Sequence, residues 1–198
     1  SMDTRWPAPD GFHVPTLTEF NWLKSIMSLL SLDTSEGWHN NLKIPYAGRR
    51  TSNWTVELRY YYSFLWSSSP NTMGNSIWFR MDGNSIGRAN MDRSNACSIR
   101  CLKDTYVIPD SDWTVIQWTL WWAWIFWNQT DWLISLTDWT TGYTMMDKNL
   151  WATAVWNTWD STNAANCGNY YQRWNNYWFP YSWDLTTSNS KVDAGWYW

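Results

Sequence analysis

The chain has 198 residues, with 14 Lys+Arg against 17 Asp+Glu and a formal net charge of −3. There is no basic excess or Lys/Arg run to neutralise a phosphate backbone, which argues against nucleic-acid binding. Mean hydropathy is −0.52. The longest aromatic run, Trp118 to Trp127, is too short and too interrupted to span a bilayer, so no membrane insertion is expected. The opening Ser1-Met2-Asp3 has no signal-peptide pattern and reads as an internal cut or a cloning remnant.

The first strong pattern follows Gly11-Phe12-His13-Val14-Pro15-Thr16. Phe20, Leu23, Ile26, Met27 and Leu30 recur at three- and four-residue steps, and Thr16 with Glu19 forms a capping box. This predicts a helix from Leu17 to about Leu32, ended by Asp33-Thr34-Ser35-Glu36-Gly37. The period then falls to two. Leu42 to Gly48 reads as a short extended piece, Val56 to Tyr62 as a second, Ile77 to Asp82 as a half-buried strand, and Ser98 to Leu102 as a final strand. The polar stretches Ser67 to Ser76 and Gly83 to Asn95 read as long loops fit for binding. From Thr105 onward, Val107 to Asp110, Trp113 to Gln117 and Leu133 to Leu136 read as short strands of a spacer. A further unit opens near Gly142.

Tryptophan usage is anomalous: 22 Trp against 9 Gly. Average glycine usage of about 7% would give roughly 14 in a chain of this length. Many of these Trp occupy turn compositions that ordinarily take glycine, among them Asp131-Trp132, Asp138-Trp139 and Asn157-Thr158-Trp159-Asp160. We expect many of them to stand for UGA codons that the source organism reads as glycine. The alternative is a genuinely aromatic-rich sugar binder. UGG codons at Trp151, Trp159, Trp174 and Trp178 would decide for that alternative.

Several motifs occur in order: Gly11 to Thr16 with Glu19-Phe20, Leu42 to Gly48, Leu65-Trp66-Ser67-Ser68-Ser69-Pro70, Arg88-Ala89-Asn90 and Ser98 to Asp104. Together they resemble the second half of a Fibrobacter succinogenes major paralogous domain. Met145 to Leu150, Ala165 to Gln172 and Asn175-Asn176-Tyr177 resemble the first half of the same family. The resemblance divides the chain into a C-terminal domain part at 1–104, a β-rich spacer at 105–140 and an N-terminal part at 141–198. Either the chain is a window on a tandem array, the preferred reading, or the halves close on each other as a circular permutant.

The resemblance implies an α+β, C-type-lectin-like fold related to that of formylglycine-generating enzymes. It further implies a secreted or cell-surface, adhesin-like, non-enzymatic binding module. In relatives, glycine stands where this chain has Trp151, Trp174 and Trp178, whereas Trp66, Trp113 and Trp156 look like true tryptophans. The family's usual cysteine partner for Cys101 is replaced here by Ala8. An enzymatic role through the formylglycine-generating relatives would require a closely placed reactive thiol pair, of which Cys97 and Cys101 are a weak imitation.

Those two cysteines lie four apart, roughly 13 Å along a strand and too far for a disulfide. Cys167 could pair with either, and an odd count leaves at least one thiol free. Three Cys without a CxxC, with only two His, make a poor metal site, and no cofactor is expected. His13 reads as a packed, hydrogen-bonded histidine and His39 as solvated in a polar loop.

The expected ligand face comprises Arg59, Tyr60, Tyr61, Tyr62 and Phe64 before the Trp66 motif. Asn71, Met73, Asn75, Arg80, Asp82, Asn84, Arg88, Asp92 and Arg93 follow it. Tyr gives rigid contact area, and Asn and Asp give adaptable hydrogen bonds. Each Tyr of the run reads equally well as a core residue, and Trp66 is assigned to the core. The expected partner is a protein or glycan outside the cell. The runner-up readings are carbohydrate binding by exposed Trp/Tyr platforms and a structural pilin or stalk repeat.

Overall fold

A computed structural model describes residues 8–53, 55–70, 76–82, 85–92, 94–119, 123–138, 140–150, 152–153, 167–168, 170–172 and 178–179. In chain order the elements are β1 (Phe12–His13), α1 (Leu17–Leu29), α2 (Ser35–Leu42), β2 (Arg49–Arg50), β3 (Val56–Glu57), β4 (Tyr62–Pro70), β5 (Ser76–Asp82), β6 (Ser85–Met91) and β7 (Ala96–Cys97). Then come β8 (Leu102–Lys103), β9 (Thr114–Trp118), β10 (Ala123–Asn128), β11 (Leu133–Asp138), β12 (Gly142–Met146), β13 (Tyr170–Gln172) and β14 (Trp178–Phe179). The fold is α+β and mainly β.

The described residues form three antiparallel sheets. The six-stranded sheet has the order β1-β8-β12-β11-β10-β9, the five-stranded one β14-β13-β7-β2-β3, and the third is the meander β4-β5-β6. Strands from all three stretches of the sequence division meet in the first sheet. Met145 of β12 stands opposite Leu102 of β8, and β9 to β12 follow one another as hairpins.

α1 forms as its pattern predicts. The Thr16 hydroxyl accepts from the Glu19 amide at 3.2 Å, and the Glu19 carboxylate accepts from the Thr16 amide at 2.7 Å. Phe20, Leu23, Ile26 and Met27 are buried. The helix stops at Leu29 rather than near Leu32, because Ser31 takes φ 60° and turns the chain out of the helix. Phe20 stacks on Phe79 of β5, ring centroids 4.8 Å apart, so the α1 face is sealed by the meander on one side. The six-stranded sheet joins the same core through Ile125, Ile134, Leu136 and Met145. A second cluster holds Val14, Phe64, Trp66, Met91, Ile99, Cys101, Leu150 and Tyr171.

Several expectations are corrected. Asp33 to Gly37 does not merely end a helix: Thr34 caps α2, its hydroxyl accepting from the Gly37 amide at 3.0 Å. Gly37 is required there, since a Cβ would lie 2.3 Å from the Leu32 carbonyl oxygen. His39 is therefore not a solvated loop residue. It is 1% exposed in α2, and its Nδ1–H donates to the Ile44 carbonyl.

The expected Val56–Tyr62 strand breaks after Glu57, because Leu58 and Tyr60 have φ of 60° and 70°. The stretches 67–76 and 83–95 are not wholly loops: β4 runs through Pro70, and β6 occupies Ser85 to Met91. Ser98 to Leu102 is not one strand. β7 ends at Cys97 and β8 begins at Leu102, which frees Arg100 to enter the core. Val107 to Asp110 is not a strand either; its Val107 amide bonds the Thr144 hydroxyl at 2.9 Å across the sheet face.

Candidate functional site

Partners directly opposite in an antiparallel ladder share a face, as do residues two apart on one strand. Tyr62 stands opposite Asp82 and Phe64 opposite Arg80. Arg80 and Asp82 in turn stand opposite Gly87 and Ser85. These residues form one face of the meander, away from α1. The Arg80 guanidinium pairs with the Asp82 carboxylate at 2.6 Å along the strand. Arg80 is exposed, Asp82 and Tyr62 are half-buried, and Tyr62 lies parallel to Phe64 with centroids 5.7 Å apart.

Two residues that the sequence reading did not single out complete this face. Arg49 sets its guanidinium 5.8 Å from the Phe64 ring centroid, bonds Glu57 at 3.2 Å and reaches the Met91 sulfur at 3.7 Å. Both lie on the β2-β3 hairpin, which is drawn against β4 by the Gly48 amide bonding the Tyr62 carbonyl at 2.9 Å. Gly48 has φ 69°, and a Cβ there would meet the Glu57 carbonyl oxygen at 2.3 Å. The Gly48-Arg49 step was the available signal.

Other expected ligand residues distribute differently. Tyr60 and Tyr61 are exposed on the turn before β4, Tyr61 at 69%. Arg88 is exposed but stands opposite Phe79, on the α1 side of the meander. Asp92 is exposed after β6, and the Ser94 amide holds its carboxyl below the usual range.

Two are corrections. Phe64 is 3% exposed and belongs to the core, where it supports Tyr62 and Arg49 instead of meeting a ligand. Arg59 is also buried, since the left-handed residues on either side of it turn its side chain to the Tyr170 hydroxyl at 3.5 Å. Asn71, Met73, Asn75, Asn84 and Arg93 lie outside the described residues.

The remaining sequence candidates are structural. Trp66 is buried, and its indole N–H donates to the Tyr171 carbonyl. All three cysteines are buried. Burial pushes the Cys101 thiol up to about 12, although Arg100 opposes it, and burial also raises Cys97 well above its ordinary value. Both therefore stay protonated at neutral pH and serve as packing groups. Among the described residues, no group of three His, Cys, Asp or Glu is placed to hold a metal, and no helix is long and apolar enough to cross a membrane.

Of the anomalous tryptophans, Trp132 takes φ 60° in the β10–β11 turn. Trp118 is 57% exposed and stands opposite Trp124. Trp121, Trp122, Trp139, Trp151, Trp156, Trp159, Trp174 and Trp183 lie outside the described residues. No protein-family profile, curated protein or solved structure matches the chain.

Proposed function

We propose that the chain is a non-enzymatic, C-type-lectin-like binding module acting at a cell surface or outside the cell. It engages a protein or glycan through the Tyr62–Arg80–Asp82 face and the adjoining Tyr60–Tyr61 turn. One observation carries this reading: the exposed Arg80 and the half-buried Tyr62 and Asp82 share one side of a three-stranded meander whose support, Phe64 and Trp66, is packed in the core. A rigid frame under adaptable polar groups limits the ordering cost of binding. The order of motifs that resembles the major paralogous domain supports the same reading.

The test is a screen of the full chain against a glycan array and a panel of extracellular proteins, followed by Tyr61→Ala and Arg80→Ala. Loss of the captured ligand with unchanged melting temperature supports the reading. Retained binding in both variants rejects it.

A second reading has its own observation. Trp118 and Trp124 lie side by side on the outer face of the six-stranded sheet, with Val115 opposite Phe126 beside them. Paired indoles of this kind stack on sugar rings. Glycan binding abolished by Trp118→Ala and untouched by Arg80→Ala would favour it, provided the codons at 118 and 124 are read as tryptophan.

A further inference from the structure

We propose that His13 is a charged clasp: its doubly protonated imidazole ties β1 to the start of α1 and to the end of β8, and loss of that proton opens β1 locally. Nδ1 lies 2.9 Å from Asp104 Oδ1, and Nε2 lies 2.9 Å from Glu19 Oε1. An ionised carboxylate only accepts, so each ring nitrogen must donate, and imidazolium alone donates from both. Glu19 cannot turn away cheaply, because its other oxygen accepts from the Thr16 amide at 2.7 Å and the Thr16 hydroxyl at 2.8 Å. Asp104 is the looser arm: its side chain is 30% exposed against 16% for Glu19.

The strand held by this clasp is short; besides the clasp, its Phe12 amide bonds the Pro9 carbonyl at 3.0 Å and the Phe12 ring packs against the second core cluster. β1 contributes two residues, Phe12 opposite Lys103 and His13 opposite Leu102, supplemented by the Asp104 amide bonding the Gly11 carbonyl at 2.9 Å. The surrounding charges come from three elements. Glu19 lies on α1, Asp104 follows β8, and Tyr143 of β12 feels the Glu19 carboxylate. Lys103 is turned to the Phe12 ring, 5.1 Å from its centroid.

The Glu19 hydrogen bond raises His13 above its ordinary value of 6.5. Burial opposes this, and Asp104 adds to the rise. A raised histidine stabilises the fold fully below its unfolded value and loses that contribution as pH climbs through the folded one. Above that point one ring nitrogen carries a lone pair facing a carboxylate, and the Asp104 arm, the more exposed, gives way.

The clasp is independent of the binding face. Its test is a titration of the full chain from pH 5 to 10 that follows the His13 imidazole nitrogens by NMR. Amide exchange at His13 and at Asp104, whose N–H bonds the Gly11 carbonyl across the two strands, corrected for intrinsic rates, is measured in parallel. The proposal expects both nitrogens protonated at pH 7, a midpoint above 6.5, and exchange that rises with that midpoint. Asp104→Asn keeps the shape of the arm and removes its charge, and should move the midpoint down by about 1 pH unit. A merely structural contact would speed exchange in this variant without moving the midpoint. A neutral His13 at pH 7, a midpoint that Asp104→Asn leaves in place, or exchange that ignores the titration overturns the proposal. If the variant does not fold, the wild-type titration decides alone.

Discussion

Arg100 and Asn149 stand far apart in sequence and meet in the core, Arg100 Nε donating to Asn149 Oδ1 at 3.1 Å. Arg100 is 0% exposed, and three more of its N–H groups donate to the carbonyls of Leu42, Lys43 and Met146 at 3.0, 2.8 and 2.9 Å. Asn149 passes the contact on, its amide donating to the Cys167 carbonyl at 3.1 Å. One guanidinium therefore joins the end of α2 to the turn after β12. Arg100→Met leaves three buried carbonyls without these donors and should cost more than about 3 kcal/mol in chemical denaturation. Arg100→Lys should not rescue it, since an ammonium cannot reproduce the planar fork. Asn149→Ala should cost roughly 1–3 kcal/mol.

Trp132 provides a direct test of the tryptophan anomaly. At φ 60° an L side chain is strained by about 1–2 kcal/mol, a cost that glycine does not carry. The indole gains something in return, because Lys148 Nζ sits 4.2 Å from its ring centroid. A partly exposed cation–π contact is worth about 0.5–1 kcal/mol. Trp132→Ala and Trp132→Gly lose that contact equally, so their difference isolates the backbone. Trp132→Gly should melt higher than Trp132→Ala by the equivalent of about 1 kcal/mol. Equal melting temperatures would show that the turn does not ask for glycine.

His39 should make the protein acid-sensitive. Burial, with the Arg100 charge adding to it, lowers its proton affinity from 6.5 to about 3. Between those values the unfolded chain binds a proton that the native one refuses, so stability is present above the unfolded value and falls as pH drops through this window. Melting temperature measured from pH 7 to pH 4 should decline less steeply in His39→Asn than in wild type. Parallel curves would mean that His39 is not held neutral.

The proposed face should separate from the frame beneath it. Arg80 and Tyr61 are exposed, and their replacement by alanine should change stability by less than about 0.5 kcal/mol. Phe64, packed with Trp66, Met91 and Ile99, should cost about 3–5 kcal/mol as Phe64→Ala. Thermal melts of the three variants check this ordering.

What could be read beforehand was local. α1 announces itself because its capping box and its apolar stripe lie in the same few residues, and β5 because Phe79 and Met81 alternate with Arg80 and Asp82. α2 could not be read this way: Gly37, Asn40 and Asn41 are poor helix formers, and the helix exists because Gly37 permits contact with Leu32 while Trp38 bears on Phe79. β6 resembles a loop around Gly87 and is a strand because β5 pairs with it along its whole length. The site follows the same division. Alternation brings Arg80 and Asp82 to one face, whereas the burial of Arg59 depends on left-handed backbone at Leu58 and Tyr60, residue types that give no warning of it. Arg49 enters only through the close approach at Gly48.

The order of strands in the largest sheet also sets a timetable. β9 to β12 are successive hairpins that can zip together soon after they leave the ribosome. The α1 face, made first, must wait for Ile125, Ile134 and Met145 before its oily side is fully covered. β1 and β8 reach that sheet through a short junction, Met145 opposite Leu102 with the Met146 amide bonding the Cys101 carbonyl at 3.0 Å. Such distant closures are slow, so nascent chains halted before β12 should expose the α1 stripe and become clients of chaperones.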